Sequence, residues 1–85
     1  MRLYWTERSL ADLEELAERA PAQAARVYDA IQWLARQRFA DLGRHVPELN
    51  CRYWPAPPHG IFYLVEGGEL KVLRIWDSRR SRGPR

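Results

Sequence analysis

Residues 61–76 read Ile-Phe-Tyr-Leu-Val-Glu-Gly-Gly-Glu-Leu-Lys-Val-Leu-Arg-Ile-Trp, and this stretch decides the fold. Two runs rich in apolar residues flank Gly67-Gly68, which is the pattern of a β-hairpin with a two-residue turn. The turn fixes the register, and the predicted facing pairs are Glu66–Glu69, Val65–Leu70, Leu64–Lys71, Tyr63–Val72, Phe62–Leu73 and Ile61–Arg74. Lys71 and Arg74 therefore fall inside strands that are otherwise apolar.

The first half of the chain has the periodicity of two amphipathic helices. An apolar segment, residues 3–5, ends at Thr6, which can cap a helix, so a short first strand is predicted. The leucines between Leu10 and Leu16 recur at three-residue steps opposite a run of glutamates, as in a helix that covers a core. Pro21 fits the first turn of a second helix, whose apolar stripe extends to about Arg38. Because almost no residues separate the two helices, they are expected to form an antiparallel hairpin.

One further strand is predicted between the helices and the glycine turn. Side chains alternate from Glu48 to Trp54, and a proline-rich stretch, residues 55–60, then predicts a stiff connection. The order is strand, helix, helix, strand, strand, strand. The sequence therefore predicts one α+β domain over residues 1–78, with the helical hairpin packed on one face of a mainly antiparallel sheet and the other face at least partly open.

The net charge of the chain is concentrated at its end. The arginines after Trp76, set against Asp77 alone, account for the whole formal net charge of +3, so residues 79–85 are expected to be a basic tail. Such an end suits an anionic partner, either nucleic acid or an acidic protein surface. With 85 residues there is room for one small core, which argues against a large internal active site.

Several kinds of chemistry are not indicated by the sequence. The single Cys51 can form no internal disulfide, and its place in the strand alternation predicts a buried residue. His45 and His59 have no partners at metal-ligand spacing, so neither a metal site nor a cofactor is expected. No apolar segment is long enough for a signal peptide or a membrane span, so a cytoplasmic location is expected. The four tryptophans are interpreted as packing and interface residues.

An ordered set of motifs resembles the RelE/ParE toxin superfamily along almost the whole chain. The matching segments are, in order, Trp5-Thr6, Ala11-Asp12-Leu13, Pro21 with Ala24, Leu42-Gly43-Arg44, Pro47-Glu48-Leu49, Arg52, Ile61-Phe62-Tyr63, Gly67-Gly68, and Leu73 to Arg80. The order of the motifs, rather than any one of them, carries the resemblance. It implies the toxin of a type II toxin–antitoxin pair, bound by a cognate antitoxin in a hetero-oligomer.

Two positions separate the branches of that superfamily. RelE-like members resemble ribonucleases that cut messenger RNA on the ribosome, whereas ParE-like members act on DNA gyrase. RelE-like nucleases commonly have a catalytic arginine just before the apolar-apolar-tyrosine strand, and many use a His or Tyr near the end as proton donor. This chain has Gly60 at the first position and Asp77 at the usual His position. The resemblance therefore implies the ParE-like branch, an inhibitor of gyrase that performs no chemistry itself.

Two other functions remain open on the sequence. A ribosome-dependent endoribonuclease would use Glu48 as general base, with Arg52 and Arg80 holding the phosphate. A toxin-derived domain that has lost its toxicity would act only as a binding module. Purified-protein assays on gyrase and on translated messenger RNA would separate these functions.

The residues expected to bind the target or the antitoxin are Arg44, Arg52, Arg74, Asp77, Arg79 and Arg80. Interior strand arginines are unusual unless they face solvent or pair with a carboxylate. The structural alternative for Arg52 and Arg74 is therefore an ion pair, with candidate partners Glu48, Glu69 and Asp77. The antitoxin is expected to lay an amphipathic, acidic segment along the helical hairpin and across the sheet toward these arginines.

Overall fold

The computed structural model describes residues 1–38 and 42–79, which form five strands and two helices. In chain order the elements are β1 (Arg2–Trp5), α1 (Glu7–Arg19), α2 (Pro21–Ala35), β2 (Arg44–Val46), a 3-10 turn (Pro47–Leu49), β3 (Cys51–Ala56), β4 (His59–Glu66) and β5 (Glu69–Asp77). The strands form one sheet in the order β1-β5-β4-β3-β2, with β1 parallel to β5 and the other neighbours antiparallel. The predicted α+β class and element order are confirmed, with β2 as an additional short edge strand.

The two helices begin where the sequence predicts. The Thr6 hydroxyl oxygen accepts a hydrogen bond from the backbone N–H of Ser9 at 3.2 Å, which caps α1. Ala20 alone separates the helices, and Pro21 occupies the first turn of α2. The second helix ends at Ala35 rather than near Arg38. This short connection folds the helices into the predicted hairpin.

The hydrophobic core lies between the helical hairpin and one face of the sheet. From the helices it contains Leu16, Ala24, Val27, Ile31 and Leu34, and from the sheet Ile61, Tyr63, Leu70, Val72 and Ile75. Burying a large apolar side chain contributes about 1.5–3 kcal/mol, so this contact supplies most of the stabilisation that a domain of this size can have. Alternation along the strands then directs the remaining side chains to the opposite face, which is here called the open face.

The glycine turn forms as predicted, but the register changes along the hairpin. Gly67 and Gly68 both have positive φ, at 60° and 74°, as a two-residue hairpin turn requires. The pairs from Glu66–Glu69 to Tyr63–Val72 are confirmed. Beyond them a β-bulge shifts the ladder, so the predicted Phe62–Leu73 and Ile61–Arg74 pairs are wrong.

The bulge has a clear physical cause. The observed pairs are Phe62–Arg74 and Ile61–Ile75, with Leu73 as the extra residue. A regular ladder would turn Arg74 toward the helices opposite Ile61, and burial of an unpaired guanidinium is strongly unfavourable. With one residue added, Ile75 enters the core and Arg74 lies on the open face.

The strand predicted from Glu48 to Trp54 begins later and ends later than expected. Pro47 starts a 3-10 turn, and Asn50 leaves it in the left-handed region at φ 50°, so regular strand begins only at Cys51. The strand continues through Pro55 to Ala56, and the predicted stiff connection shrinks to Pro57-Pro58. Because β2 pairs only with residues 51–53, Pro55 lies where one edge of β3 is free and no N–H donor is needed.

Two further observations concern the chain as a whole. Neither helix within residues 1–38 and 42–79 has the length and apolar character needed to cross a membrane. Of the predicted basic tail, residues 79–85, only Arg79 belongs to the described part of the chain.

Candidate binding surface

Four side chains form a row across the open face of the sheet. Arg44 on β2 pairs with Tyr53 on β3, Tyr53 with Phe62 on β4, and Phe62 with Arg74 on β5. The neighbouring Ile61 belongs to the core, so the alternation of β4 places this row on the opposite side. We call Arg44, Tyr53, Phe62 and Arg74 the arginine–aromatic row.

Each member of the row takes part in a ring contact. The Tyr53 and Phe62 ring centroids lie 5.1 Å apart at an angle of 64°, an edge-to-face contact. The guanidinium carbon of Arg44 lies 5.3 Å from the centre of the Tyr53 ring, and that of Arg74 lies 5.1 Å from the centre of the Trp76 ring. Each cation–π contact contributes about 0.5–1 kcal/mol at an exposed site. Arg44 is exposed, so its cation is accessible at one end of the row.

Gly60 lies directly beneath this row. A β-carbon at Gly60 would collide with the ring of Tyr53, so the position accepts no larger residue while that ring stays in place. The backbone of Gly60 pairs with Pro55 on one side and Trp76 on the other, which fixes it at the middle of the sheet. The resemblance implies a catalytic arginine at this position in RelE-like nucleases, and here Tyr53 fills the space above it.

Arg74, at the other end of the row, is bound by a carboxylate from α1. Its Nε donates to Asp12 Oδ2 at 2.8 Å and its Nη2 donates to Asp12 Oδ1 at 3.3 Å. Both side chains are largely buried, with 18% and 15% of their surfaces exposed. Asp12 Oδ2 also accepts a hydrogen bond from the backbone N–H of Ile75 at 3.0 Å. Ile75 lies on β5 beyond the residues that pair with β1. The carboxylate therefore also binds a backbone N–H at the edge of β5 that β1 does not reach.

The prediction that Arg74 forms an ion pair is correct, but the predicted carboxylate partners are wrong. An ion pair does engage Arg74, but Asp12 provides it rather than Glu48, Glu69 or Asp77. Asp12 and Arg74 are 62 positions apart, so no local spacing links them. The available signal was the Ala11-Asp12-Leu13 motif, in which one carboxylate interrupts the helix face that covers the sheet.

Arg52 lies on the helix side of the sheet, away from the row. Its Nη1 donates to the carbonyl oxygen of Gly43 at 2.7 Å, so the predicted carboxylate partners of Arg52 were also wrong. The N–H of Gly43 donates to the Tyr63 hydroxyl at 2.8 Å, and a β-carbon at Gly43 would collide with that hydroxyl. Arg52 and Tyr63 thus fix the backbone of the Leu-Gly-Arg segment, which explains its glycine.

The other two members of the hypothetical nuclease set are Glu48 and Arg80. Glu48 is exposed in the 3-10 turn before β3. Arg80 lies outside the described residues. The structure therefore gives no geometry for an acid–base pair built from these three residues.

Asp77 is bound by the residue two places after it. Arg79 donates to the Asp77 carboxylate from Nε at 2.9 Å, from Nη2 at 2.7 Å and from its backbone N–H at 3.0 Å. These hydrogen bonds hold the pKa of Asp77 well below its usual value, and they raise the pKa of Arg79. Asp77 is therefore a carboxylate at neutral pH and has no proton to donate.

His59 is buried at the start of β4, although the sequence predicts that it lies in the proline-rich connection before that strand. Its Nδ1 lies 3.2 Å from Gln23 Nε2, which also donates to the carbonyl oxygens of Ala56 at 3.0 Å and Pro57 at 3.2 Å. Burial lowers the pKa of His59, so the ring is neutral at pH 7. Alternation from Tyr63 back through Ile61 would have placed His59 on the core face. Its contact with Gln23 joins α2 to the β3–β4 turn.

The remaining residues considered for chemistry have structural roles. Cys51 is buried, and burial raises the pKa of its thiol, as expected for an unreactive core cysteine. Trp33 and Trp54 stack at 5.5 Å between ring centroids, and Trp5 lies parallel to Tyr28 at 6.2 Å. Within residues 1–38 and 42–79, no three His, Cys, Asp or Glu side chains come together to hold a metal ion.

Comparisons with known proteins agree with this fold. The fold is similar to that of two solved structures: "Chromosomal ParDE TA system from P. aeruginosa" and "YoeB/ParE toxin from Agrobacterium tumefaciens". The first is 23% identical with a TM-score of 0.75 and covers 91% of this chain and 95% of that one. The second is 24% identical with a TM-score of 0.73 and covers 91% and 98%. No curated protein sequence matches the chain significantly.

The fold and the ordered motifs are those of the RelE/ParE superfamily of small toxins. Within it, residues 3–82 match the family model described as ParE toxin of type II toxin-antitoxin system, parDE. The chain belongs to this ParE toxin family.

Proposed function

We propose that this toxin inhibits DNA gyrase by binding to it and that a cognate antitoxin neutralises it. Support comes first from the family, whose model describes the toxin of a parDE system. It comes also from the hydrogen bonds and ion pairs that bind the arginines within the chain. Inhibition would arise from occlusion or trapping of the enzyme, without a chemical step by this chain.

The observation that carries the proposal is that most of the predicted arginines of the sheet are bound to other groups of the chain. Arg74 is bound by Asp12, Arg52 by the Gly43 carbonyl, and Arg79 by Asp77. Cleavage of RNA requires cations aimed at the phosphate transition state and groups that move the proton of the 2′-hydroxyl. In the described part of the chain the predicted cations are bound internally, except for Arg44 beside Tyr53.

The filled space over Gly60 argues in the same direction. The ring of Tyr53 covers the centre of the open face, and the ionised Asp77 has no proton for a leaving group. Together these features favour a docking surface over a catalytic one. The proposed contact residues for gyrase or antitoxin remain Arg44, Arg52, Arg74, Asp77, Arg79 and Arg80.

Two assays on one preparation test this function. Purified chain is added to gyrase with relaxed plasmid, and separately to a cell-free translation reaction whose messenger is mapped by primer extension. Inhibited supercoiling with intact messenger supports the proposal. Cleavage at codon positions would overturn it in favour of the ribosome-dependent nuclease. A chain inactive in both assays that still binds its antitoxin would be the non-toxic binding module.

A further inference from the structure

We propose that a basic cleft at the turn end of the helical hairpin binds a carboxylate side chain of an acidic peptide segment from a partner protein. The cleft has a volume of about 300 Å³ and lies among α1, α2, the β3–β4 turn and the end of β5. Three arginines line it: Arg19 from α1, Arg26 from α2 and Arg79 from the turn after β5. It lies on the helix side of the sheet and is separate from the arginine–aromatic row.

The cations of the cleft exceed its anions. Among the described residues lining it, Asp77 is the acid, and the guanidinium of Arg79 already binds that carboxylate. Arg26 donates from Nε to the neutral Gln23 side chain at 2.9 Å. Arg19 lies 3.8 Å from Glu15, but both side chains are more than 60% exposed, at 62% and 67%, so water screens that pair. Arg19 and Arg26 therefore keep positive charge available for an incoming anion.

The shape and chemistry of the cleft select a carboxylate side chain. Leu16, Ala20 and Pro58 add an apolar wall, against which the methylene groups of a Glu side chain can pack. Guanidinium groups bind carboxylates through paired N–H donors. Nucleic acid, in contrast, is held by cations that follow a line of phosphates, whereas this site is a single recess.

The walls of the cleft are already fixed by hydrogen bonds. Gln23 joins His59 to the β3–β4 turn, and Gln23 Oε1 accepts from Arg26. A preorganised recess loses less conformational entropy when it takes a ligand. The identification of the partner as the antitoxin rests on the proposed function, while the chemistry of binding does not.

The test compares two double variants of equal charge. Arg19→Gln with Arg26→Gln removes the two available cations from the cleft. Arg8→Gln with Arg36→Gln removes two exposed cations near the opposite end of the hairpin and is the matched control. The probe is a fluorescein-labelled six-residue peptide of alternating leucine and glutamate, with a leucine–glutamine peptide and a single-stranded oligonucleotide as comparisons. Thermal melts establish that both double variants are folded.

The expected result is binding of the glutamate peptide to the unmodified chain and to the control. The cleft variant should bind at least about tenfold more weakly, because it lacks two charge-assisted contacts. A second readout is the NMR titration of His59, whose pKa should rise when the peptide carboxylate lies nearby. That rise should be absent in the cleft variant.

Three results would overturn the proposal. They are equal loss of binding in the two double variants, equal binding of the glutamine peptide, and tighter binding of the oligonucleotide. Gyrase takes no part in this assay, so its outcome is independent of the supercoiling test. A chain that fails to inhibit gyrase but binds the peptide would contradict the proposed function alone.

Discussion

At the scale of single residues, two glycines owe their identity to tyrosine neighbours. Tyr53 covers Gly60, and the Tyr63 hydroxyl lies against Gly43. Neither glycine has a positive φ, so close approach rather than backbone conformation explains them. Motifs that the sequence presents as family signatures thus have packing causes in this chain.

Replacing Gly60 by alanine tests the contact with Tyr53. The new β-carbon would overlap the ring, and overpacking of this kind destabilises by about 1–3 kcal/mol. Urea denaturation should show that loss in the unmodified background and little or none in a Tyr53→Ala background. An equal loss in both backgrounds would contradict the account of Gly60.

Replacing Asp12 by asparagine tests the buried ion pair. The neutral amide weakens charge-assisted bonds from Arg74 and the Ile75 N–H, and the expected loss of unfolding free energy is about 2 kcal/mol. Glu15→Gln is the matched control on the same helix, since its 3.8 Å pair with Arg19 is exposed. That control should lose less than about 0.5 kcal/mol. Equal losses from the two substitutions, measured by chemical denaturation, would contradict the claim that the Asp12–Arg74 ion pair stabilises the fold.

At the scale of elements, the sequence predicted what depends on local patterns. Thr6, Pro21 and Gly67-Gly68 marked boundaries correctly because a cap, a helix start and a hairpin turn depend on neighbouring residues. The helices and most of their common core face followed from the periodicity of leucine and alanine, although Leu10 is exposed. These features need no knowledge of the other elements.

The bulge and the pairing of Arg74 depend on distant residues. Val72 and Ile75 are three residues apart, so strict alternation would place them on opposite faces of the sheet. Both side chains face the helices, and the extra residue of the bulge makes this possible. Asp12 is then available to bind the arginine that the bulge turns outward. The position and the partner of Arg74 therefore depend on long-range packing, which local sequence spacing does not reveal.

The joint between α2 and the β3–β4 turn should make stability depend on pH. Burial lowers the pKa of His59 below its ordinary value of 6.5, so the unfolded chain binds the proton more readily than the folded one. Stability is then complete above pH 6.5 and falls as the pH drops through the lower pKa of the folded state. Denaturation midpoints measured between about pH 7 and 5 should show this decline.

His59→Gln provides the control for that decline. The glutamine amide can accept the bond from Gln23 without titrating, so the curve should flatten over the same interval. Asp77 does not interfere, because its lowered pKa matters only below its ordinary value of 3.8. An unchanged slope in the variant would assign the pH dependence to other groups.

At the scale of the whole molecule, the two sides of the sheet have different roles. The helix side carries the core and, at one end, the basic cleft. The open face carries the arginine–aromatic row, whose accessible cation is Arg44. Two separate surfaces would suit the proposed function, in which the chain binds both gyrase and an antitoxin.

Replacing Arg44 by glutamine tests whether the open face contacts gyrase. The melting temperature should stay within a few degrees, because Arg44 is exposed and its ring contact contributes about 0.5–1 kcal/mol. The concentration needed for half-inhibition of supercoiling should rise about fivefold or more, as for an arginine that contributes to a binding interface. Arg38→Gln, an exposed change beyond α2, is the control and should leave inhibition unchanged. Equal inhibition by both variants would place the gyrase contact elsewhere.

The central claim is that this ParE-family chain inhibits gyrase by binding. Its most direct test is the rate at which purified gyrase supercoils relaxed plasmid as the purified chain is added. We expect a concentration-dependent fall in that rate, while messenger RNA in a translation reaction stays intact. Full supercoiling at saturating chain, together with messenger cut at codon positions, would contradict it.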